Sequence, residues 1–135
     1  FPAQEVAVRH ALQSVCTSLK AIGVDQSGLI TVEIILAEVT NNIVEHAYAG
    51  LTKGTVSLSC RMTPKHLNFE IIDQGKVLPG GEVPPKNRHD LTTDLQDLPE
   101  GGFGWGLIRD LTTNLAYQRR DDKNTLRFSV DYIAP

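Results

Sequence analysis

Between residues 26 and 49 the sequence carries a helical pattern whose two faces need opposite surroundings. Val32, Leu36, Val39 and Ile43 recur at helical spacing and form an apolar stripe that has to pack on a core. Glu38 and Asn42 stand at i and i+4, so both project from one side, and Asn41 and Glu45 join that stripe. The helix must therefore be a wall, with a core behind it and water, a metal or a ligand in front. Alone, the polar stripe reads as the ordinary solvated face of an amphipathic helix. Two later segments change that weighing.

The rest of the pattern says what the wall is built into. Val6, Leu12, Val15, Leu19 and Ile22 predict a first helix over residues 3–22, closed by Gly23. Asp25 or Ser27 caps the second helix, which is expected to run to about residue 49 and stop at Gly50. Strict alternation over 55–62, with Val56, Leu58, Cys60 and Met62 on one side, predicts a half-buried strand. A turn at Pro64 and Lys65 leads to a second strand carrying Leu67, Phe69 and Ile71. Residues 75–104 lack periodicity and hold four of the seven prolines, which predicts a long functional loop or lid. A short helix over 106–113 and a hairpin of 114–120 with 125–132 around residues 121–124 complete the chain. Hairpins with helices on one face make an α+β two-layer sandwich with a mainly antiparallel sheet. No repeat divides it, so residues 1–135 read as one domain.

Composition narrows the functional classes. A net charge of −3, with no basic run beyond Arg119 and Arg120, argues against nucleic acid as a partner. That pair reads as a solvated strand end. No apolar stretch reads as a membrane span and no signal peptide is visible, so a cytoplasmic protein without a membrane partner is expected. Cys16 and Cys60 read as separate reduced thiols, and the four histidines lack metal-ligand spacing. The sequence opens on Phe1 rather than Met, which leaves open a domain of a larger protein.

The chemistry gathers at three places. Asp73 shares the parity of Leu67, Phe69 and Ile71, so its carboxylate falls on the apolar face at a strand end. A carboxylate there needs hydrogen-bond donors: an adenine amino group, a backbone amide or a buried water. Gly75 follows, so backbone can approach a flat ligand closely, although Asp-x-Gly also marks ordinary turns. The run containing Gly102, Gly104 and Gly106 opens a helix, where free N–H groups and the helix dipole suit phosphate or where the glycines act as a hinge. Neither a Lys-Ser/Thr pair nor a preceding strand accompanies it, which excludes a P-loop and a Rossmann turn. Together these pieces describe a nucleotide site. Asn42 offers one oxygen to phosphate-bound Mg²⁺, and Glu38, one turn earlier, is placed to accept a proton.

Over nearly its whole length the sequence resembles the Bergerat-fold (GHKL) ATPases, and within them the anti-sigma-factor serine kinases of the RsbW/SpoIIAB type. The resemblance rests on residues 38–48, EVTNNIVEHAY, on Asp73-Gln74-Gly75 and on the glycine run. It implies that Glu38 is the general base and Asn42 the Mg²⁺ ligand. It implies that Asp73 and Gly75 bind adenine, and that Gly102, Gly104 and Gly106, with Leu107 beside them, bind phosphates. Asn124 holds the place where the family often has Thr near the adenine, and Val77 stands where many members have a second Gly. The fold implied is the Bergerat α+β sandwich, with ATP and Mg²⁺ as cofactors and a lid at about 75–104.

The function implied is that of an ATP-dependent serine/threonine protein kinase. It would phosphorylate a STAS-domain antagonist and bind a sigma factor or analogous target, switching between partners. The exposed face of the first helix is then a candidate homodimer or target surface. Two other functions stay open: a nucleotide-binding module that sequesters a partner without turnover, and the catalytic domain of a histidine kinase. Against the second, no helix with a phospho-accepting His precedes the domain, and His10 lacks an adjacent acidic residue. His46, one turn past Asn42, is expected to order the helix end.

Overall fold

The computed structural model describes residues 1–48, 54–78, 81–83 and 102–132, and of 102–104 the backbone alone. Helix α1 spans Glu5–Ala21, and Gly23, at φ 98°, takes the left-handed conformation that ends it. Helix α2 spans Gln26–Asn42, capped by Asp25, whose carboxylate accepts from the Gly28 N–H at 3.4 Å. Strands β1 (Val56–Met62) and β2 (His66–Asp73) form the first hairpin. Helix α3 (Gly102–Leu111) leads into β3 (Thr113–Arg120) and β4 (Lys123–Asp131). The sheet order is β1-β2-β4-β3, every pair antiparallel.

The core lies between one face of this sheet and the helices. Leu67, Phe69 and Ile71 of β2 point into it with Leu126, Phe128 and Val130 of β4. Phe69 and Phe128 sit directly opposite each other and stack, ring centroids 5.3 Å apart. From α2 come Val32, Ile35, Leu36 and Val39, all almost fully enclosed, and from the turn that follows it comes the buried Ile43. Ile35 and Leu29 widen the expected stripe, because α2 has neighbours on several sides: α1, α3 and β4. With its continuation to Ala47 it is long and apolar enough by composition to cross a membrane. Its apolar face is instead engaged with the sheet, as in the core helix of a two-layer fold. The opposite sheet face carries polar pairs, among them Arg127 Nε to Glu70 at 2.7 Å and Ser129 to Asn68 at 2.6 Å.

Several boundaries differ from the sequence expectation. The second helix does not stay α-helical to its end: Ile43–Ala47 form a π turn, closed by the Tyr48 N–H on the Ile43 carbonyl at 3.0 Å. Residues 49–50, where the helix was expected to stop, lie outside the described residues. The last hairpin turns on two residues, not four. Asp121 and Asp122 both have positive φ (53° and 61°), as a type I′ turn requires, and Asp tolerates that region better than most side chains. Asn114, at φ 55°, sits where the register of β3 against β4 shifts between Thr113 and Ala116. Helix α3 starts at Gly102 rather than Gly106, the buried Ile108 and the partly buried Trp105 tying it to the core. Of the expected lid, 79–80 and 84–101 lie outside the described residues. Burial fades along β1, so Val56 is buried while Cys60 and Met62 are exposed, and residues 1–3 add a short antiparallel pairing beside Val56. Cys16 and Cys60 are both free.

Tyr48 joins the end of the π turn to two loops. Its buried hydroxyl donates to the Thr55 carbonyl at 2.7 Å and accepts from the Gln74 N–H at 2.7 Å. A Cβ on Gly54 would lie 2.6 Å from its ring. Tyr48→Phe leaves both backbone groups without this partner, so a loss of about 1–3 kcal/mol is expected in urea unfolding. A wild-type midpoint would show that the hydroxyl carries no load.

Candidate functional site

Asp73 is the last residue of β2 and is buried, as its parity required. Directly opposite it in the sheet is Asn124, the second residue of β4, also buried. One carboxylate oxygen, Oδ1, accepts from the Gly75 N–H at 2.9 Å and from Asn124 Nδ2 at 2.8 Å. The first bond is an Asx turn, so the ordinary-turn reading of Asp-x-Gly and the buried-acceptor reading both hold. Among the described residues nothing donates to Oδ2. Burial pushes the Asp73 carboxyl above its ordinary range, opposed by the Asn124 and Gly75 hydrogen bonds and the Arg119 charge.

The close approach that Gly75 permits is to the chain itself. A Cβ there would lie 2.4 Å from the Ala47 carbonyl oxygen, and the Lys76 N–H donates to that same oxygen at 2.7 Å. Gly75 therefore seats the Asp-x-Gly loop against the π turn that ends α2, on the side where a side chain would project.

Along α2 the polar stripe divides into two rows. Asn41 and Glu45 are in solvent, and so is His46, whereas Glu38 and Asn42 are half-buried. No described residue bonds or ion-pairs with the Glu38 carboxylate. Among the described residues Asn42 Nδ2 is buried without a partner, an orphan that a well-packed fold does not normally leave. Helix α3, which packs against α2, carries Gly102, Gly104, Gly106 and Leu107. Leu107 is half-exposed, and a Cβ built on Gly106 meets no described atom within 4 Å, so packing does not explain that glycine. The glycines are already helical in backbone, not a free turn preceding the helix. Trp105 packs against the core and so pins this segment.

Mg²⁺ fits this donor set in one way. No group of three or more His, Cys, Asp or Glu side chains suited to a metal exists among the described residues. A metal here would take most of its oxygens from phosphate and water, with Asn42 Oδ1 as the protein's contribution.

Sequence reasoning missed Tyr117 and Arg119. Arg119, read as a solvated strand end, is exposed, but its Nη1 also donates to the Gly75 carbonyl at 2.6 Å and to Asn124 Oδ1 at 3.0 Å. The Tyr117 hydroxyl also donates to Asn124 Oδ1 and accepts from the Leu78 N–H at 3.0 Å. Both residues share one strand parity with Leu115, the only signal that could have placed them on its side of the sheet. Asn124 Nδ2 further bonds the carbonyls of Lys76 (3.0 Å) and Gly75 (3.2 Å). The Asn124 carboxamide is thus fully engaged within the protein and acts on Asp73, whereas the family resemblance implied contact with the adenine.

Residues 1–130 match the histidine kinase-like ATPase domain. The chain belongs to that family. It is also 33% identical over 98 residues to the serine/threonine-protein kinase BtrW of Bordetella bronchiseptica, a match covering 71% of this chain and 66% of that protein. The chain thus spans just under two thirds of that relative's length. Solved histidine kinase domains share the fold at low identity. The catalytic domain of ThkA superposes at TM-score 0.52 and 10% identity, over 83% of this chain and 71% of that one. The mycobacterial sensor kinase MprB gives 0.50 and 19%, over 82% and 74%. The blue-light activated kinase of Erythrobacter litoralis gives 0.52 and 16%, over 91% and 60%.

The raised Asp73 carboxyl makes a signed prediction. Because the native carboxyl holds its proton more tightly, stability is lost as pH rises from the usual carboxylate range through the native value, and the penalty is absent in acid. Asp73→Asn keeps an oxygen for Gly75 and Asn124 and removes the buried charge. Its unfolding midpoint should equal wild type in acid and match or exceed it at neutral pH. A variant clearly less stable at neutral pH would show that the charge itself holds the network.

Proposed function

We propose that this protein binds ATP with Mg²⁺ and transfers the γ-phosphoryl group to a serine or threonine of a protein partner. The observation that carries the reading is Asp73 Oδ2. Among the described residues it is an acceptor with no donor, beside the bonded Oδ1, at the start of the loop braced against the helix that carries Glu38 and Asn42. The family membership supports ATP as the nucleotide, and the name of the relative BtrW supports serine/threonine specificity over histidine.

In this reading Asp73 Oδ2 accepts from the adenine amino group. The free side of Gly106 and the N-terminal N–H groups of α3 receive phosphate oxygens. Asn42 Oδ1 would be the protein's ligand to Mg²⁺, which would supply positive charge against the phosphates. The Glu38 carboxylate, unpaired within the described chain, takes the proton of the attacking hydroxyl. That oxygen bonds to the γ-phosphorus as the bridge to the β-phosphate breaks, and ADP leaves. The acceptor is a STAS-domain antagonist and the second partner a sigma factor or analogous target, so phosphorylation switches which one is held in the cytoplasm.

Titration calorimetry and radiolabel transfer to a panel of purified STAS-domain proteins test this. Mg²⁺-ATP should bind wild type but not Asp73→Asn. Glu38→Ala should bind within about twofold of wild type and lose roughly 10²–10⁴-fold in transfer. Transfer undiminished in Glu38→Ala would remove the general-base role. Nucleotide binding with no transfer to any STAS protein would favour a sequestering module.

A further inference from the structure

The row of α2 that carries Asn42 and Glu38 continues past Glu38 toward the helix N-terminus, and there it turns apolar. Asn42, Glu38, Ile34 and Ile30 follow one another at intervals of four residues, so they form one ridge along the helix. Asn42 and Glu38 are half-buried, whereas Ile34 and Ile30 are 39% and 48% exposed. Ala37 and Glu33, beside them, are exposed as well. The core does not require these two isoleucines, because Val32, Ile35, Leu36 and Val39 already fill the face toward the sheet. Exposed apolar residues scattered singly are ordinary. Here two of them, one turn apart, lead directly into the half-buried polar pair.

Position along the helix argues for what covers this ridge. Asn42 lies one turn C-terminal to Glu38, and the loop after Asp73 meets the chain further along that way, at Ala47. Ile34 and Ile30 lie the opposite way, about 6 and 12 Å from Glu38 along the helix axis. A nucleotide held between Asp73 and Asn42 therefore leaves them bare. A protein that brings a hydroxyl to Glu38 does not: a specific interface takes about 800 Å² from each partner, enough to cover the adjoining turns of α2.

We propose that Ile30 and Ile34 are the docking ridge for the phosphoacceptor protein. This rests on the phosphoryl-transfer reading above and assigns to it the surface that holds the acceptor. The partner presents an apolar depression about one helical turn from its serine or threonine hydroxyl. It places a cation rather than an anion opposite Glu33 at the rim.

The experiment measures steady-state transfer from radiolabelled Mg²⁺-ATP to the purified STAS-domain proteins, with ATP affinity and sedimentation followed in parallel. The variant is Ile30→Ser combined with Ile34→Ser. Val6→Ser, which removes a still more exposed apolar side chain (62%) from α1, is the control. The double variant should keep ATP affinity and kcat within about twofold of wild type and raise the acceptor KM roughly tenfold or more. Val6→Ser should leave all three at wild-type values. An unchanged acceptor KM in the double variant, or an equal rise in Val6→Ser, would overturn the docking role while leaving the kinase reading standing. Lost ATP affinity in the double variant would overturn it too, by giving the ridge to the nucleotide. A wild-type dimer that the double variant splits at unchanged KM would instead make the ridge a contact between copies of this chain. If wild type passes phosphate to no STAS-domain protein, the transfer reading and this inference fall together.

Discussion

A carboxylate on the apolar face of a sheet is tolerated only if the surroundings are built for it, and much of this molecule is arranged around Asp73. Its burial is unfavourable for the charge. Two hydrogen bonds to one oxygen and a nearby guanidinium offset part of that cost. The partners come from separate places: Gly75 from the following loop, Asn124 from the facing strand, Arg119 from the strand beyond. The central pairing of β2 with β4 thus serves packing, through Phe69 and Phe128, and chemistry, through Asp73 and Asn124 four positions along. A register slip would turn both sets to the wrong face together.

The same loop fixes the helix that carries Glu38 and Asn42. Gly75 and Lys76 lie against the Ala47 carbonyl, and Tyr48 clamps Gln74 and Thr55. The π turn at Ile43–Ala47 adds a residue to the last turn of the helix and so aims that carbonyl at the loop. Asp73 and the polar helix face are therefore held in one frame by backbone contacts that tolerate little displacement. Among the described residues, Oδ2 of Asp73 receives no hydrogen bond and Nδ2 of Asn42 is buried without a partner.

Much of this was legible in the linear pattern. Alternation placed Asp73 on the core face, helical spacing separated the stripe of Val32 and Leu36 from that of Glu38 and Asn42, and Gly23 and Asp25 marked real helix ends. What was not legible depended on neighbours distant in sequence. The bond that the exposed Arg119 makes to Gly75 was not legible, because strand parity alone does not say that a loop 44 residues away offers it a carbonyl. Gly75 looked like an approach for a ligand because nothing local names Ala47 as the group it meets. The glycine run looked like a turn because glycine is a poor helix former, and the packing of Trp105 and Ile108 that overrides this is tertiary.

The sequence by itself determined the order of helices and hairpins, the face on which each apolar side chain falls, and the chemical kinds of group at the site. These follow from periodicity and residue type, which are local properties. Tertiary structure decided which atoms remain available. Asp73 keeps one oxygen open while Asn124 is wholly consumed, and that difference exists only once Tyr117, Arg119 and the residue 75–78 loop converge on them. Hydrogen-bonding capacity is a property of a side chain, but its satisfaction is a property of the fold.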